Sequence, residues 1–257
     1  MMKVATWNIN GFGARQEFLL RWLADRKPDV VGLQELKLTD DAFPHKPFND
    51  LGYQVITHGQ KAWNGVAVLS RFPMEIRQIG LAGQDDFGSR FIDVSIGDRF
   101  NFATVYCPNG KSLDHADFGR KLQWFDSLQN YWAAADSTSA ILCGDFNIAP
   151  SALDGWKGSG ADGDIFHTPQ ERLRFQSLLD QGLTDLFRHK YPSEQAFSWW
   201  DYRGGSFHRG HGLRIDLILA TSNIVAQLVE VGTDREFRKK LDGMTASDHA
   251  PVIAELE

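Results

Sequence analysis

Acidic and amide side chains stand directly after several apolar runs of the sequence. Asn8 and Asn10 follow the first run, Glu35 follows the second, and Asp145 and Asn147 follow a later one. Each of them, taken singly, could be an ordinary turn or strand-end residue. Carboxylate and amide oxygens are also the ligands of hard divalent cations, and carboxylates can transfer protons. The set therefore predicts a site of metal-assisted chemistry.

Asp216 and His249 extend this set. Asp216 lies within an otherwise apolar run, where an unpaired charge would be strongly destabilising. Its partner is expected to be Arg214, two positions away on the same strand face, or a histidine or a metal elsewhere. His249 follows Asp248 and could be a hydrogen-bonded core histidine or a proton-transfer group.

The types of ligand residue limit which metal ion is expected and which reaction it would assist. Oxygen ligands, and the lack of a Cys/His cluster with zinc spacing, favour Mg²⁺, or Mn²⁺ as a substitute, and such a site is typical of phosphoryl chemistry. The sequence contains no Gly-x-x-x-x-Gly-Lys-Ser/Thr loop, no strand-anchored Gly-x-Gly-x-x-Gly and no Gly-x-Ser-x-Gly. Hydrolysis by an activated water is therefore the expected reaction.

The composition is that of a globular protein that is not broadly basic. Of 257 residues, 42% are hydrophobic, and 27 Lys and Arg against 33 Asp and Glu give a net charge of −6. This charge excludes a globally basic nucleic-acid binder. The two cysteines form no disulfide framework, so we expect a reducing compartment, the cytoplasm. The sequence has no signal-peptide pattern and no apolar run near the ~20 residues of a membrane span, so no membrane partner is expected.

Short β-type runs alternate with helical stretches, which predicts an α/β fold in a single domain over residues 1–257. Helices are predicted around Phe18–Leu23, at Phe118–Trp132, and from a capping box at Thr168 to Gly182. The predicted strands are Lys3–Ile9, Asp29–Gln34, Tyr53–Thr57, Gly65–Ser70, Phe91–Ile96, Phe100–Cys107, Ala140–Asp145, Phe197–Tyr202, Arg214–Ala220 and Val252–Glu255.

Seven short motifs occur in order along nearly the whole chain. They are Trp7–Gly11, Leu33–Lys37, Tyr106–Gly110, Gly144–Asn147, Ser198–Arg203, Leu213–Asp216 and Ser247–Pro251. Together they resemble the motifs of the exonuclease III family of DNA-repair nucleases, within the endonuclease/exonuclease/phosphatase superfamily, and seven ordered motifs are far more specific than one. The resemblance implies a four-layer α/β sandwich, in which helices flank two central β-sheets and the site lies at one edge.

The resemblance also implies ligands for the metal and the phosphate. Glu35 would be the main metal carboxylate. Three residues would lie beside it, in or behind the coordination shell: Asn8, Asn10 and Asp248. Tyr106 and Asn147 would hold the scissile phosphate.

Proton transfer, by the same resemblance, involves three residues. Asp145 would orient and deprotonate the attacking water. His249, paired with Asp216, would stabilise charge on the phosphate or share proton transfer. Which of Asp145 and His249 is the base stays open.

The expected substrate is double-stranded DNA with abasic sites or 3′ ends. A net negative chain can bind DNA through a local stripe of cations. The loop Arg203–Gly212 is dense in Arg, His and Gly and is typical of a loop against a phosphate backbone. The cationic candidates are Lys37, Lys61, Arg90, Lys111, Lys157, Arg203, Arg209 and Arg214. By the resemblance, Trp199, Leu213 and Ile215 would line the pocket for a flipped-out abasic sugar.

Phe166 and His167 depart from the family pattern. Relatives that cut at internal abasic sites have a small residue followed by Phe at these positions, close to the sugar pocket. Flipping a nucleotide into a crowded pocket would add to an already unfavourable step, whereas a frayed 3′ end needs no flip. The departure predicts a bias toward 3′-5′ exonuclease and 3′-phosphodiesterase action, with weakened abasic-site cleavage.

Other interpretations stay open. The two residues could be a neutral loop variation in a full abasic (AP) endonuclease of base excision repair. The acidic core alone would also suit a phosphatase or phosphodiesterase acting on inositol phosphates or sphingolipid head groups, although Tyr106–Gly110 and Ser198–Arg203 favour DNA enzymes. A protein that only binds DNA ends is disfavoured because every expected catalytic position carries a competent side chain. A monomer is expected.

Overall fold

The structure of the chain is a computed structural model that describes residues 1–135 and 137–257. The described residues form two six-stranded sheets stacked face to face, with helices on both outer sides. The strands are β1 (Met2–Asn8), β2 (Val30–Gln34), β3 (Gln54–His58), β4 (Val66–Ser70), β5 (Met74–Ile79), β6 (Phe91–Ile96), β7 (Phe100–Tyr106), β8 (Ala140–Asp145), β9 (Thr184–Asp185), β10 (Asp216–Ala220), β11 (Leu228–Thr233) and β12 (Val252–Leu256). The helices are α1 (Phe12–Arg26), α2 (His45–Asp50), α3 (Ala116–Ala134), α4 (Pro169–Leu179), α5 (Leu186–Lys190), α6 (Ser206–Arg209) and α7 (Ser222–Val225).

The strand order is β11-β12-β1-β2-β4-β3 in the first sheet and β5-β6-β7-β8-β10-β9 in the second. In the first sheet β1 runs parallel to β2, and in the second β7 runs parallel to β8. The other strand pairs are antiparallel, so both sheets are mixed. Each parallel pair is joined by a crossover helix, α1 in the first sheet and α3 in the second. The α/β class and the four-layer sandwich are confirmed.

Aliphatic side chains fill the space between the sheets. Val4 and Val68 of the first sheet pack with Ile141 and Ile218 of the second. A Cβ atom at Gly32 would lie 2.5 Å from Oγ1 of Thr104, so the lack of a side chain on β2 permits the close approach of the sheets there.

Helices bury the outer faces of both sheets. Trp22 and Leu23 of α1 pack with Trp7 on the first sheet. On the second sheet, the aromatic residues of α3 and α4, among them Trp124 and Phe175, pack with strand residues such as Leu142. The predicted helices are confirmed, including the capping box in which Thr168 and the third helical residue of α4 satisfy each other's backbone groups.

The strand predictions are confirmed to within one or two residues for the central strands. The strand at Phe197–Tyr202 is wrong: Trp199 makes only isolated bridges to Leu213 and His249, and the segment packs its aromatic side chains into a small separate cluster. Three strands were not predicted, namely β5, β9 and β11. All three lie at sheet edges, where one side of the strand is unpaired and the apolar pattern is weak.

Two further observations concern the whole described chain. Cys107 and Cys143 are free and buried. Among the described residues, none of the helices combines the length and the apolar character that crossing a membrane requires.

Candidate active site

The strand register brings the polar strand-end residues to one edge of the molecule. Asp145, at the end of β8, stands opposite Tyr106 at the end of β7 and opposite Asp216 at the start of β10. In the first sheet Asn8 ends β1, and Glu35 directly follows β2. The two sheets meet here, because Nδ2 of Asn8 donates to Oδ2 of Asp145 across a distance of 2.9 Å.

Left-handed backbone turns the chain at three of these positions. Asn10, Glu35 and Asn147 have φ values of 48°, 56° and 49°. This conformation is uncommon for residues other than glycine and is concentrated at functional sites, where the surrounding contacts enforce it.

Glu35, Asp145 and His249 form a cluster that could hold a metal ion. One ligand atom from each lies within 4.8 Å of the others. Asn8 bridges the two acids, since its Nδ2 also donates to Oε1 of Glu35 at 2.9 Å. Two carboxylates held this close repel each other unless a positive charge lies between or beside them, so the donor set fits a divalent cation.

Glu35 remains ionised in this cluster. Burial would raise its pKa, but the hydrogen bond from Asn8 and the charge of Lys37, whose Nζ lies 2.9 Å from Oε2, outweigh burial and lower the pKa. Lys37, one of the cations considered for DNA, is thus engaged with the acidic cluster.

Asn10 and Asp248 form a second pair beside the cluster. Nδ2 of Asn10 donates to Oδ1 of Asp248 at 2.8 Å, and Nε1 of Trp199 donates to Oδ2 at 3.0 Å. Both carboxylate oxygens of Asp248 are therefore oriented by donors. Burial would raise its pKa, but the charge of His249 and these hydrogen bonds lower it.

His249 pairs with Asp216. Its Nδ1 lies 2.8 Å from Oδ2 of Asp216, and its Nε2 faces Asp145, 3.9 Å from Oδ2. Burial alone would lower the pKa of His249, but the Asp216 carboxylate outweighs it and raises the pKa above the ordinary histidine value. Of the partners that the sequence leaves open for Asp216, the histidine is observed and Arg214 is not.

Asp145 is almost fully buried in the same cluster. Its Oδ1 accepts a hydrogen bond of 2.9 Å from the backbone N–H of Asn147. Burial raises its pKa, the charge of His249 opposes this, and Asp216 adds to the rise. The carboxyl group therefore binds a proton more readily than an exposed aspartate does.

Tyr106 and Asn147 flank the acids. Burial and the nearby Glu35 and Asp145 carboxylates raise the pKa of Tyr106 well above its ordinary value, so its hydroxyl stays protonated. Arg90 supports Tyr106: its guanidinium lies 4.7 Å above the ring, and Nη1 donates to the Tyr106 carbonyl at 3.1 Å. Nδ2 of Asn147 donates to the carbonyl of Cys107 at 2.9 Å.

These residues line a cleft of about 370 Å³. The cleft is lined by Glu35, Tyr106, Asn109, Lys111, Asp145, Asn147, Ile165, Phe166, Trp199, Asp201, Arg203, Ile215, Asp248 and His249. Its cationic members are exposed and each pairs with an acid: Lys111 with Asp117 and Arg203 with Asp201. Most predicted site residues are therefore brought together in one place.

A second cavity, of about 400 Å³, adjoins the first and shares Lys111, Ile165, Phe166 and Trp199 with it. His167 and Leu213 line this second cavity. We call the group of Gly155, Phe166, His167 and Leu213 the pocket wall. His167 is 4% exposed, and a Cβ atom at Gly155 would lie only 2.7 Å from its Cε1.

The structure corrects the assignment of Arg214 as a DNA contact. Its side chain is 3% exposed and lies between two carboxylates, with Nε 2.6 Å from Oδ1 of Asp154 and Nη2 2.7 Å from Oδ2 of Asp185. Its charge is already neutralised inside the protein. Its backbone N–H also donates to the carbonyl of Asp154, so Arg214 connects the segments that carry Gly155 and Leu213 of the pocket wall.

Sequence reasoning missed two serines that fix the site. Oγ of Ser198 accepts from the backbone N–H groups of Ile215 and Asp216, at 3.1 and 3.0 Å. Oγ of Ser247 donates to the carbonyl of Asn8 at 2.7 Å. Both belong to motifs noted above, which was the available signal, but a serine in a loop has no pattern that distinguishes it from an ordinary turn residue.

The stacked sheets and the acidic edge define a class: hydrolases of phosphoesters that use carboxylates, amides and an imidazole at converging strand ends. Residues 5–249 match the model of the endonuclease/exonuclease/phosphatase family, and the chain belongs to that family. Within it, the chain is an exonuclease III/AP endonuclease-type DNA-repair nuclease.

Three relatives support this assignment. The chain is 37% identical to exodeoxyribonuclease III of Haemophilus influenzae, with all of both chains covered. It matches the structure of the 3′ phosphatase NExo from Neisseria, bound to a product DNA hairpin, with a TM-score of 0.95, 38% identity and full coverage of both chains. It matches an AP endonuclease from Archaeoglobus fulgidus with a TM-score of 0.94, 31% identity and full coverage.

Proposed function

We propose that this chain is a Mg²⁺-dependent nuclease that acts mainly at 3′ ends of DNA, as a 3′-5′ exonuclease and a 3′-phosphodiesterase that removes blocking groups, including the phosphomonoester of a 3′-phosphate. Mn²⁺ would substitute for Mg²⁺. The observation behind the proposal is the pocket wall, in which His167 is buried and Phe166 is half-buried, beside the acidic cluster. The similarity to a Neisseria 3′ phosphatase bound to product DNA supports the same substrate class.

The acidic cluster would hold the cation mainly through Glu35, with Asp248 beside it. When bound, the cation supplies positive charge to the phosphate oxygens and to the leaving oxygen. Asn8 and Asn10 would orient the carboxylates, since the hydrogen bonds from their amide groups end on Glu35, Asp145 and Asp248. Tyr106 and Asn147 would hold the scissile phosphate, Tyr106 through a hydroxyl that stays protonated.

Proton transfer would divide between Asp145 and His249. We assign the base to Asp145, which would orient and deprotonate the attacking water, because its raised pKa suits it to accept a proton. His249 would stabilise the negative charge that develops on the phosphate, because Asp216 favours its protonated form. The distance of 3.9 Å between Nε2 of His249 and Oδ2 of Asp145 supports a shared role of the two side chains around one phosphate.

The pocket wall would select the substrate. His167 fills the space against Gly155, and Phe166 adopts a left-handed φ of 72° that is unfavourable for a bulky residue. A flipped abasic sugar would have to enter between these side chains and Trp199, and flipping already requires unstacking. A frayed 3′ terminus reaches the acidic cluster without that step.

The remaining assignments are part of the same proposal. Lys111, Arg203 and the loop Arg203–Gly212 would contact the DNA backbone, with Trp199, Leu213 and Ile215 against the terminal sugar. The buried free cysteines suit the reducing cytoplasm. We propose a monomer with one domain over residues 1–257.

A full AP endonuclease is the second candidate, favoured by the similarity to the Archaeoglobus fulgidus enzyme. One experiment separates the candidates. Three end-labelled duplexes are digested with Mg²⁺, and again with EDTA: one with an internal abasic analogue, one with a 3′-phosphate and one with an undamaged recessed 3′ end. EDTA-sensitive terminal processing with little internal cleavage supports our proposal, whereas strong internal cleavage supports the second candidate. No EDTA-sensitive product on any duplex would overturn both.

A further inference from the structure

Lys121 is a fully buried charged residue that the proposed chemistry does not use. It lies in α3, on the face whose other members are Trp124, Phe125 and Leu128. Its side chain and that of Glu171 in α4 are both 0% exposed, and they form an ion pair with Nζ 2.5 Å from Oε1. A charged pair at such a place is rarely the most stable solution, because apolar residues of similar volume usually pack as well or better.

The ammonium group of Lys121 contacts both loops that support the phosphate side of the cleft. Nζ donates to the backbone carbonyl of Asn147 at 2.7 Å and to that of Asn109 at 3.3 Å. Asn147 and Asn109 both line the catalytic cleft. The lysine thus connects α3 to two loops whose positions decide where a phosphate can bind.

The two carboxylate oxygens of Glu171 accept hydrogen bonds from different groups. Oε2 accepts from the backbone N–H and the hydroxyl of Thr168, which is the capping box that begins α4. Oε1 accepts from Lys121 and from the backbone N–H of Phe166, at 3.1 Å. The cap needs one oxygen only, and the other one holds the pocket wall at Phe166.

We propose that the Lys121–Glu171 ion pair is a positioning element that fixes Asn147, beside the acidic cluster, relative to Phe166 of the pocket wall. Neither side chain of the pair lines the catalytic cleft, so the pair acts through the two loops. This inference rests on the proposed function only in the choice of substrate. Small displacements of a phosphate ligand reduce turnover steeply, because a misplacement of about 1 Å can lower the rate about 10²-fold.

The test uses the K121M/E171Q variant. It removes both buried charges together, and the amide that replaces the Glu171 carboxylate keeps an oxygen for the cap, since glutamine serves in capping boxes as glutamate does. The matched control is R77M/D93N. It neutralises the ion pair between Arg77 in β5 and Asp93 in β6, in which Nη1 lies 2.9 Å from Oδ2. Neither residue lines the catalytic cleft. Thermal unfolding verifies that both variants fold.

We expect kcat for 3′-phosphate release to fall about 10- to 100-fold in K121M/E171Q, with KM within about threefold of wild type. Amide hydrogen exchange should become faster in peptides covering residues 145–150 and 164–168, and the control should change neither quantity. A folded K121M/E171Q with unchanged kcat and unchanged exchange in those peptides would overturn the inference.

Two further outcomes are decisive. If K121M/E171Q does not fold, E171Q alone is measured: faster exchange at residues 164–168 supports the tether, and unchanged exchange overturns it. If the wild-type chain gives no EDTA-sensitive product at any 3′ terminus, the proposed function fails, and the exchange comparison, which needs no substrate, still decides whether the ion pair positions the two loops.

Discussion

The acidic cluster and the pocket wall lie side by side but are built in different ways. In the cluster, each carboxylate is fixed by hydrogen bonds from amide, indole or imidazole groups, as the two bonds from Asn8 illustrate. In the wall, His167 and Leu213 are held by packing, and a glycine at position 155 makes room for the imidazole. A hydrogen-bonded cluster tolerates little change, whereas a packed loop wall can vary in size. The difference suggests that chemistry is fixed in one region and substrate choice in the other.

The largest effect is expected from removing the proposed base. D145N should lower both terminal and internal cleavage by about 10³-fold, because general-base catalysis typically contributes about 10²- to 10⁴-fold. The measurement is single-turnover cleavage at saturating enzyme, with DNA binding checked separately. D50N, at an exposed pair with Lys46 outside the cleft, is the control and should stay within a few-fold of wild type. Loss of only one of the two activities in D145N would contradict a shared chemistry.

A smaller effect is expected from D216N, which leaves the base in place. Asp216 raises the pKa of His249, so its neutralisation should lower that pKa and move the alkaline limb of the pH–rate profile to lower pH. We expect kcat to fall about 10²-fold, as when one group that stabilises developing charge is lost. Profiles of kcat against pH for the two proteins provide the check. If they superimpose after scaling, His249 does not act through its charge.

Removing Arg214, which lies behind the pocket wall, should lower the stability of the protein. R214M removes the cation between Asp154 and Asp185 and leaves two buried carboxylates without it. Loss of one partner of a buried ion pair costs about 3–5 kcal/mol, so the free energy of unfolding should fall by that amount. R21M, at an exposed pair with Asp25, should cost at most about 1 kcal/mol. Equal losses of unfolding free energy in denaturant melts would show that the buried network contributes no more to stability than an exposed ion pair does.

The smallest expected effect is a change with pH in the difference in unfolding free energy between wild type and R214M. Burial would raise the pKa of Asp154, but Arg214 outweighs burial and the pKa is lowered. A carboxyl group with a lowered pKa in the folded state stabilises the fold above its unfolded value, about 3.9, and loses this contribution as the pH falls. The stability gap between wild type and R214M should therefore be constant near neutral pH and narrow below about pH 4. A gap that widens in acid would contradict this sign.

The sequence allowed the central strands, the three long helices and most of the acidic cluster to be predicted, because buried strands have continuous apolar runs and polar residues follow them directly. Edge strands such as β5 could not be predicted, since their exposed faces carry no apolar pattern. Arg214 was misassigned because the sequence does not show that Asp154 and Asp185, far away along the chain, converge on it. Lys121 did leave a signal, a charge within an apolar helical stripe, but its partners come from distant loops.

The most direct test of the central claim is the ratio of internal abasic cleavage to 3′-phosphate release in F166G/H167F. Glycine suits the left-handed backbone at position 166. The variant introduces the small residue and the Phe that the family pattern, by the resemblance described above, would have at these positions. F166G alone serves as the control for relief of backbone strain. We expect the ratio to rise about tenfold or more in the double variant, with terminal release within about threefold of wild type. An unchanged ratio with normal terminal release would show that the pocket wall does not select the substrate.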